Sequence, residues 1–280
     1  MKRFVCLTDY IKSFPTNTLF REVWHRHDLK DIGKYIFHTD FPDRALKYLG
    51  YSMGLPPHSP SKKYLMKWIP LPDDKSIMTN FAHVFNQYNC YTTLNYYSAE
   101  VALKKAELII EDEKLRRMQS MPQIFSPERI QHQQDKILSI SEGLEGSSFV
   151  DLAFDFDIDP DKAMNTFEKA IKNTLKLASY FEDRYVENQM YFSGGRGFHV
   201  VVPYSSYGQR KASNNHLVNR HMAELIDLEV GPLQLDYAIY SSRRQLRMVN
   251  TYHQSSGLRK VALTRHDLEL GKKHILTLAR

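Results

Sequence analysis

Two short segments in the second half of the chain contain side chains that suit phosphate chemistry. The first is the acidic segment Phe149-Val-Asp-Leu-Ala-Phe-Asp-Phe-Asp-Ile-Asp159, and the second is the glycine-rich turn Ser193-Gly-Gly-Arg-Gly-Phe-His199. Carboxylates like those of the first segment bind divalent cations, and backbone amides beside an arginine, as in the second, bind phosphate oxygens. Because phosphoryl transfer needs both functions, the two segments together indicate a metal-dependent nucleotide site.

The aspartates of the acidic segment fall at alternate positions, which on a β-strand places their side chains on one face. They are Asp151, Asp155, Asp157 and Asp159. Packed carboxylates repel one another unless protons or cations neutralise them, and Mg²⁺ or Mn²⁺ would do so. A site for two ions usually needs one more carboxylate from elsewhere, and Asp236, within an apolar alternating segment, is the candidate. The alternative reading of aspartates at strand ends is helix capping, which fits Asp159.

The glycine-rich turn does not match the common nucleotide-binding motifs. It lacks the G-K-[ST] ending of a P-loop, and the apolar run after it predicts a strand where a dinucleotide site would have a helix. Amides of the glycines, Gly194 and Gly197 among them, can still converge on an anion. Ser193, Arg196 and His199 would add hydrogen bonds to its oxygens. The alternative is an ordinary hairpin turn with a satisfied histidine.

Hydrophobic periodicity predicts a mixed α+β core with a largely antiparallel sheet. The expected strands cover residues 90–96, 148–158, 188–192, 198–203, 233–240, 245–250 and 259–264. The expected helices cover residues 99–119, 127–140, 160–184 and 216–228. The helices at 99–119 and 127–140 predict a hairpin inserted between sheet elements. We therefore expect an N-terminal accessory lobe at 1–75 and a catalytic domain at 76–280 with a helical insertion at about 99–140.

Composition limits the class of protein and its partners. The chain has 280 residues, 42% of them hydrophobic, and from their pattern we expect neither a signal peptide nor a membrane-spanning segment. Two distant cysteines, Cys6 and Cys90, argue against a structural zinc site and favour a reducing compartment, the cytoplasm. Residues 241–280 contain nine lysines and arginines against two acidic residues, within a net charge of +6 for the whole chain. This segment favours an anionic partner, first of all nucleic acid, and the alternative is a solvated basic tail.

The motifs resemble those of the archaeo-eukaryotic primase superfamily, which includes primase catalytic subunits and primase-polymerases. Its signature elements correspond here to Ala153-Phe-Asp-Phe-Asp157, to the turn at 193–199 and to Leu233-Gln-Leu-Asp236. A fourth segment, residues 244–260, resembles the family's stretch in which a histidine precedes a glycine and basic residues. The resemblance covers about residues 148–264 and implies an RRM-like catalytic core with flanking helices.

The resemblance also implies roles for individual residues. The metal ligands would be Asp155, Asp157 and Asp236, holding two Mg²⁺ or Mn²⁺ ions, with Asp157 and Asp159 as an alternative pair. The nucleotide-binding residues would be Ser193, Gly194, Arg196, Gly197, His199, Arg247, His253 and Lys260. The basic charge of the C-terminal segment separately suggests Arg243, Arg244, Arg259 and Arg265 as contacts to nucleic acid.

The function expected from these motifs is that of a template-directed nucleotidyltransferase, a primase or primase-polymerase acting on single-stranded DNA with nucleoside triphosphates. One alternative is a two-metal nuclease, which would not need to bind a free triphosphate. A second is a catalytically silent nucleic-acid-binding module. A helicase or another replication or defence protein is a further expected partner. The preference for ribonucleotides or deoxynucleotides, and the choice between priming and extension, stay open at this level.

Overall fold

The computed structural model describes the greater part of the chain. The residues that it describes are 7–28, 64–72, 90–142, 149–158, 166–210, 212, 214–241, 245–253 and 255–280. The helices in these ranges are α1 (Leu7–Lys12), α2 (Ala99–Ser120), α3 (Pro127–Glu142), α4 (Phe167–Glu182), α5 (Asn215–Val230), α6 (Arg265–Glu269) and α7 (Lys272–Leu278). The strands are β1 (Leu19–Asp28), β2 (Tyr64–Pro72), β3 (Cys90–Thr93), β4 (Asn95–Ser98), β5 (Phe149–Val150), β6 (Leu152–Asp157), β7 (Gln189–Phe192), β8 (Gly197–Val202), β9 (Gln245–Arg247) and β10 (Val261–Leu263).

The strands form two antiparallel sheets. The first has the order β5-β4-β1-β3-β9, with β2 also paired to β1, and the second has the order β10-β7-β8-β6. The predicted α+β class with a largely antiparallel sheet is confirmed. The hairpin predicted around the glycine-rich turn is present, since Tyr191 of β7 pairs with His199 of β8.

The predicted acidic strand is divided between the two sheets. β5 pairs with β4, and β6 pairs with β8, so the chain passes from one sheet to the other at Asp151. The backbone N–H of Asp151 donates to the carbonyl oxygen of Leu94 (3.1 Å), at the point where β3 gives way to β4. The prediction of a single strand over 148–158 was therefore wrong in one respect. The backbone hydrogen bond of Asp151 to Leu94 divides the segment into two strands, although its alternating pattern continues through Asp151.

The apolar face of β6 forms the centre of the core. Leu152, Phe154 and Phe156 are almost completely buried, and Phe154 packs on Phe181 of α4 with ring centroids 5.6 Å apart. Burial of each such side chain contributes about 1.5–3 kcal/mol. Because side chains alternate along a strand, this packing turns Asp155 and Asp157 toward the opposite face.

Helix α4 begins at Phe167, seven residues later than the predicted start at residue 160. The hydroxyl of Thr166 caps the helix by accepting from the backbone N–H of Lys169 (3.2 Å). Asp159 and Pro160, the expected cap and first residue, lie outside the described residues.

The strand predicted at 233–240 is not formed. Gln234 adopts a positive φ of 60°, which breaks the extended run, and residues Tyr237–Ile239 form a 3-10 helix. The carboxylate of Asp236 caps this turn by accepting from the backbone N–H of Ala238 (2.9 Å). The alternation of apolar residues here reflects burial of Leu233 and Ile239, not a strand.

Helices α2 and α3 form the expected helical pair between β4 and β5. A polar cluster joins them, in which Glu111 of α2 binds Lys114 (2.7 Å), Lys136 (3.1 Å) and Gln133 (2.8 Å). Burial opposes ionisation of Glu111, but the hydrogen bonds from Gln133 and the two lysines outweigh it and lower its pKa to about 2. None of the described helices is long and apolar enough to cross a membrane.

The separate lobe at 1–75 stays a prediction. Most of residues 29–89 lie outside the described part of the chain, so the proposed boundary is not visible. β1 pairs with β3 and β4, which belong to the predicted catalytic domain. The N-terminal strand is therefore part of the sheet that carries β9.

Candidate metal and nucleotide site

Three carboxylates come together at one end of the second sheet. Asp155 and Asp157 extend from the same face of β6, and the backbone N–H of Asp236 donates to the carbonyl oxygen of Asp155 (3.0 Å). One carboxylate oxygen from each aspartate lies within 4.8 Å of the other two. The 3-10 turn thus provides the third carboxylate that the sequence suggested, although through a capping turn and not through a strand.

The chemistry of this group fits divalent cations. Asp155 is 5% exposed, Asp236 is half-buried and Asp157 is exposed, so the cluster is open to solvent on one side. Mutual repulsion among three close carboxylates, one of them buried, is relieved when oxygen-binding cations such as Mg²⁺ or Mn²⁺ bind. The open side leaves room for the substrate and water oxygens that complete the coordination of such ions.

Asp151 does not belong to this cluster. Its carboxylate forms an ion pair with Arg21 of β1 (2.8 Å) and accepts from the hydroxyl of Tyr96 (2.7 Å) and the backbone N–H of Tyr204 (3.0 Å). The acidic segment therefore contains one aspartate that fixes the fold and two that face the site. Asp159, the alternative ligand, lies outside the described residues.

His199 lies next to Asp155 on the neighbouring strand. The two residues are cross-strand partners, and Nε2 of His199 is 3.4 Å from Oδ1 of Asp155. Tyr191 is the partner of His199 on the next strand, so Tyr191, His199 and Asp155 form one row across β7, β8 and β6. Both His199 and Asp155 are buried, which places the imidazole at the inner edge of the carboxylate cluster.

Ser193 organises the glycine-rich turn. Its hydroxyl oxygen accepts from the backbone N–H groups of Gly195 (3.2 Å) and Gly197 (3.1 Å), and its own N–H donates to the carbonyl oxygen of Gly197 (2.9 Å). The hydroxyl hydrogen can still donate outward, because the oxygen acts as an acceptor in both contacts. Arg196, at the tip, is exposed to solvent.

The three glycines of the turn allow two other segments to approach closely. A Cβ at Gly197 would lie 2.5 Å from the carbonyl oxygen of Phe156 in the acidic strand. A Cβ at Gly195 would lie 2.8 Å from Cδ2 of His253, and one at Gly194, where φ is +77°, 2.7 Å from the carbonyl oxygen of Leu258. The turn is thus held directly against the metal-facing strand and against the segment that carries His253.

His253 points its Nε2 toward the glycine-rich turn. Its Nδ1 accepts from the backbone N–H of Ser256 (3.4 Å) and lies 3.0 Å from the hydroxyl of Ser255, which leaves the proton on Nε2. Burial, and then the charges of Arg247 and Arg196, lower the pKa of His253. A neutral imidazole with an Nε2–H can donate a hydrogen bond to an anion at the turn.

Arg247 and Lys260 are buried cations behind the turn. The Arg247 guanidinium donates to the hydroxyl of Tyr91 (2.9 Å) and to the carbonyl oxygen of Tyr252 (2.8 Å). Nζ of Lys260 lies 4.5 Å from the centre of the Tyr191 ring. Burial lowers the pKa of Lys260 to about 7; the charge of Asp155 opposes this shift and the charges of Arg247 and Arg21 add to it.

A cavity of about 570 Å³ lies between the two sheets beside these residues. Both sheets contribute to its wall, and the polar and aromatic side chains among the lining residues include Arg21, Tyr96, Asp151, Tyr191, Arg247 and Lys260. Tyr191 belongs to the same cross-strand row as His199 and Asp155, so the cavity adjoins the carboxylate cluster. The charged residues of its lining are three basic ones, Arg21, Arg247 and Lys260, and two carboxylates, Asp151 and Glu187.

The basic residues expected to contact nucleic acid fall into two groups. The Arg259 guanidinium lies over the Tyr252 ring (4.6 Å) on the solvent side, whereas Arg265 donates to the hydroxyl of Ser179 (2.9 Å) and pairs with Glu182. Arg243 and Arg244 lie outside the described residues.

The motifs did not identify the wall of the cavity. Arg21, Thr92 and Tyr96 come from strands at least 50 residues before the acidic segment, and Tyr191 precedes the turn. No motif includes them, and the only available signal was the high density of tyrosine at residues 88–97. Their role depends on pairing between β1, β3, β4 and β9, which the sequence pattern did not specify.

The comparisons with known proteins agree with this geometry. Residues 150–247 match the LigD primase-polymerase domain family. That family is a member of the archaeo-eukaryotic primase superfamily, the superfamily that the motifs resemble. The match includes Asp155, Asp157, Ser193, His199 and Asp236, while His253 and Lys260 lie beyond it. A comparison with curated proteins found no match.

Proposed function

We propose that the protein is a template-directed nucleotidyltransferase that makes or extends primers on single-stranded DNA. The observation that carries this proposal is the convergence of Asp155, Asp157 and Asp236 within 4.8 Å, in a segment that matches a primase-polymerase domain. Nucleoside triphosphates and a DNA template strand are the substrates that such a family implies.

The three aspartates would hold Mg²⁺ or Mn²⁺. Bound there, such ions lower the pKa of an attacking hydroxyl and neutralise the charge of a departing pyrophosphate. A primer 3′ hydroxyl would lose its proton to solvent water and form a bond to the α-phosphorus, while the bond from that phosphorus to the bridging oxygen breaks and pyrophosphate leaves. The carboxylate of Asp236 is held toward the others by its cap on Ala238, so the chain itself sets their spacing.

The glycine-rich turn would bind the triphosphate. Three groups at the turn can donate hydrogen bonds to the phosphate oxygens of the nucleotide. They are the Ser193 hydroxyl, the Arg196 guanidinium and the Nε2–H of His253. His199, beside Asp155, would contact the phosphates nearest the carboxylates. Arg247 and Lys260 would add positive charge from the cavity, where desolvation strengthens their attraction for an anion.

The nucleic acid would meet the basic C-terminal region. Arg259 faces solvent on the outer side of the segment whose His253 meets the turn, so a template backbone passing there would lie next to the nucleotide. Binding that depends on such residues weakens as salt concentration rises. The proposed protein partner is a helicase or another replication or defence protein. The proposed location is the cytoplasm, the reducing compartment that the two distant cysteines favour.

The test is primer synthesis and primer extension on single-stranded DNA with Mg²⁺ or Mn²⁺. Incorporation is expected for the wild type, and none for the Asp155→Ala, Asp157→Ala protein. Asp135→Ala, on the exposed face of α3, is the matched control and should retain full activity. Equal incorporation by the double variant, or shortening of the DNA without incorporation by the wild type, would contradict the proposal.

A further inference from the structure

Arg21 occupies a largely buried position at the wall of the inter-sheet cavity. Its guanidinium lies 3.8 Å from the centre of the Tyr96 ring and forms an ion pair with Asp151 (2.8 Å). The Tyr96 hydroxyl donates to the same carboxylate oxygen (2.7 Å). The side chains of Arg21 and Asp151 are only 15% and 5% exposed, so their ion pair is largely shielded from water.

Asp151 connects this group to the strands that carry the site. It is the residue at which the chain leaves the first sheet and enters β6, four positions before Asp155. Its second carboxylate oxygen accepts from the backbone N–H of Tyr204, just beyond the end of β8, the strand that carries His199. Asp151 therefore contacts the far ends of β6 and β8, the strands that carry Asp155 and His199.

A second group of arginine, tyrosine and carboxylate lies on the surface, and it shows how burial changes the energetic importance of such an ion pair. On the surface, Arg184 lies 3.7 Å over the Tyr180 ring and pairs with Glu229, whose carboxylate also accepts from the Tyr180 hydroxyl (2.8 Å). The chemistry is that of Arg21, Tyr96 and Asp151, but Arg184 and Glu229 are 44% and 56% exposed. Exposed pairs of this kind contribute little, whereas loss of one partner from a buried pair leaves an uncompensated charge.

We propose that Arg21 is a positioning residue of the nucleotide site, acting through Asp151 to hold β6, β8 and the cavity wall in the arrangement that binds the triphosphate. The inference rests on the proposed function and extends it, because it makes the N-terminal strand β1 a necessary part of the site. Arg21 itself would not touch the phosphates, since its guanidinium is directed to Asp151.

The experiment measures binding of a nonhydrolysable deoxynucleoside triphosphate with Mg²⁺, and KM and kcat in primer extension, for Arg21→Met and Asp151→Asn. Both variants should bind the triphosphate about tenfold or more weakly, in the range found when partners of site ligands are removed. The double variant should be no worse than the weaker-binding single variant, because both remove one interaction. Arg184→Met, the matched surface variant, should bind like the wild type.

The outcomes separate three explanations. Lower thermal stability with unchanged triphosphate affinity in Arg21→Met would overturn the inference and leave a structural ion pair. Weak binding by Arg21→Met with normal or tighter binding by Asp151→Asn would also overturn it, because Arg21 would then contact the nucleotide directly. If Arg21→Met does not fold, Asp151→Asn, which keeps the size of the side chain and an acceptor, decides the question. A wild-type protein that binds no triphosphate would contradict the proposed function itself.

Discussion

The imidazole of His253 packs directly against the α-carbon of Gly195, so that no side chain larger than hydrogen fits at position 195. A Cβ at Gly195 would be 2.8 Å from Cδ2 and 2.9 Å from Nε2 of His253. Two segments that are far apart in sequence thus meet at one glycine, and the histidine nitrogen that carries the proton is the one that faces the turn. The position of His253 is therefore set by the absence of a side chain at Gly195.

Gly195→Ala is expected to displace His253 and to weaken triphosphate binding. Gly195 has no positive φ, so the backbone accepts alanine and the effect comes from the clash alone. Overpacking of this kind costs about 1–3 kcal/mol of stability. Calorimetric titration with a triphosphate and thermal unfolding would measure both effects. Gly208→Ala, at a positive φ with nothing within 4 Å, should lose stability only. Unchanged triphosphate affinity in Gly195→Ala would exclude His253 from the binding site.

Asp236→Asn is expected to raise the unfolding midpoint of the protein in a chelating buffer. Removing one of three carboxylates within 4.8 Å relieves their repulsion, while the amide oxygen can still accept from Ala238. In the wild type, Mg²⁺ or Mn²⁺ at about 100 times its Kd should stabilise the fold by about 2.7 kcal/mol, and this increment should be lost in the variant. Thermal unfolding with and without metal checks both. Asp183→Asn, at the exposed end of α4, should keep the wild-type response, and an equal response in Asp236→Asn would argue against a metal site.

Lys260→Met is expected to stabilise the protein and to weaken triphosphate binding. Burial lowers the pKa of Lys260 from 10.5 to about 7, so the unfolded chain binds the proton more tightly than the folded one. The cost of burying the lysine is therefore complete below pH 7 and shrinks as pH rises toward 10.5. The gain in unfolding midpoint should be larger at pH 6.5 than at pH 9.5, as thermal scans at both values would show. Lys172→Met, on the exposed face of α4, supplies the control, and a gain independent of pH would contradict burial of the charge.

The sequence predicted the local parts of this site better than their surroundings. Asp155, Asp157 and the turn at 193–199 were recognisable because strand alternation and glycine spacing are local properties. The proximity of Asp236 to Asp155 and Asp157 was predicted for a partly wrong reason, since its segment is a capped 3-10 turn in which Gln234 breaks the strand. The separation of Asp151 from the other aspartates depends on Arg21 and Tyr96, which are distant in sequence, so no local pattern could show it. The helical pair α2 and α3 was predictable from length and periodicity, whereas the start of α4 depends on the cap at Thr166.

The chain leaves the first sheet at β4, forms helices α2 and α3, and re-enters the same sheet at the neighbouring strand β5. Tyr96 of β4 pairs with Phe149 of β5, although 52 residues separate them in sequence. The side chains described in α3 include none that is buried, so the core does not depend on that helix. The pair of helices is thus a natural position for changes in chain length: a fluorescent reporter or a tethering domain placed at its tip should leave the strand register of both sheets unchanged.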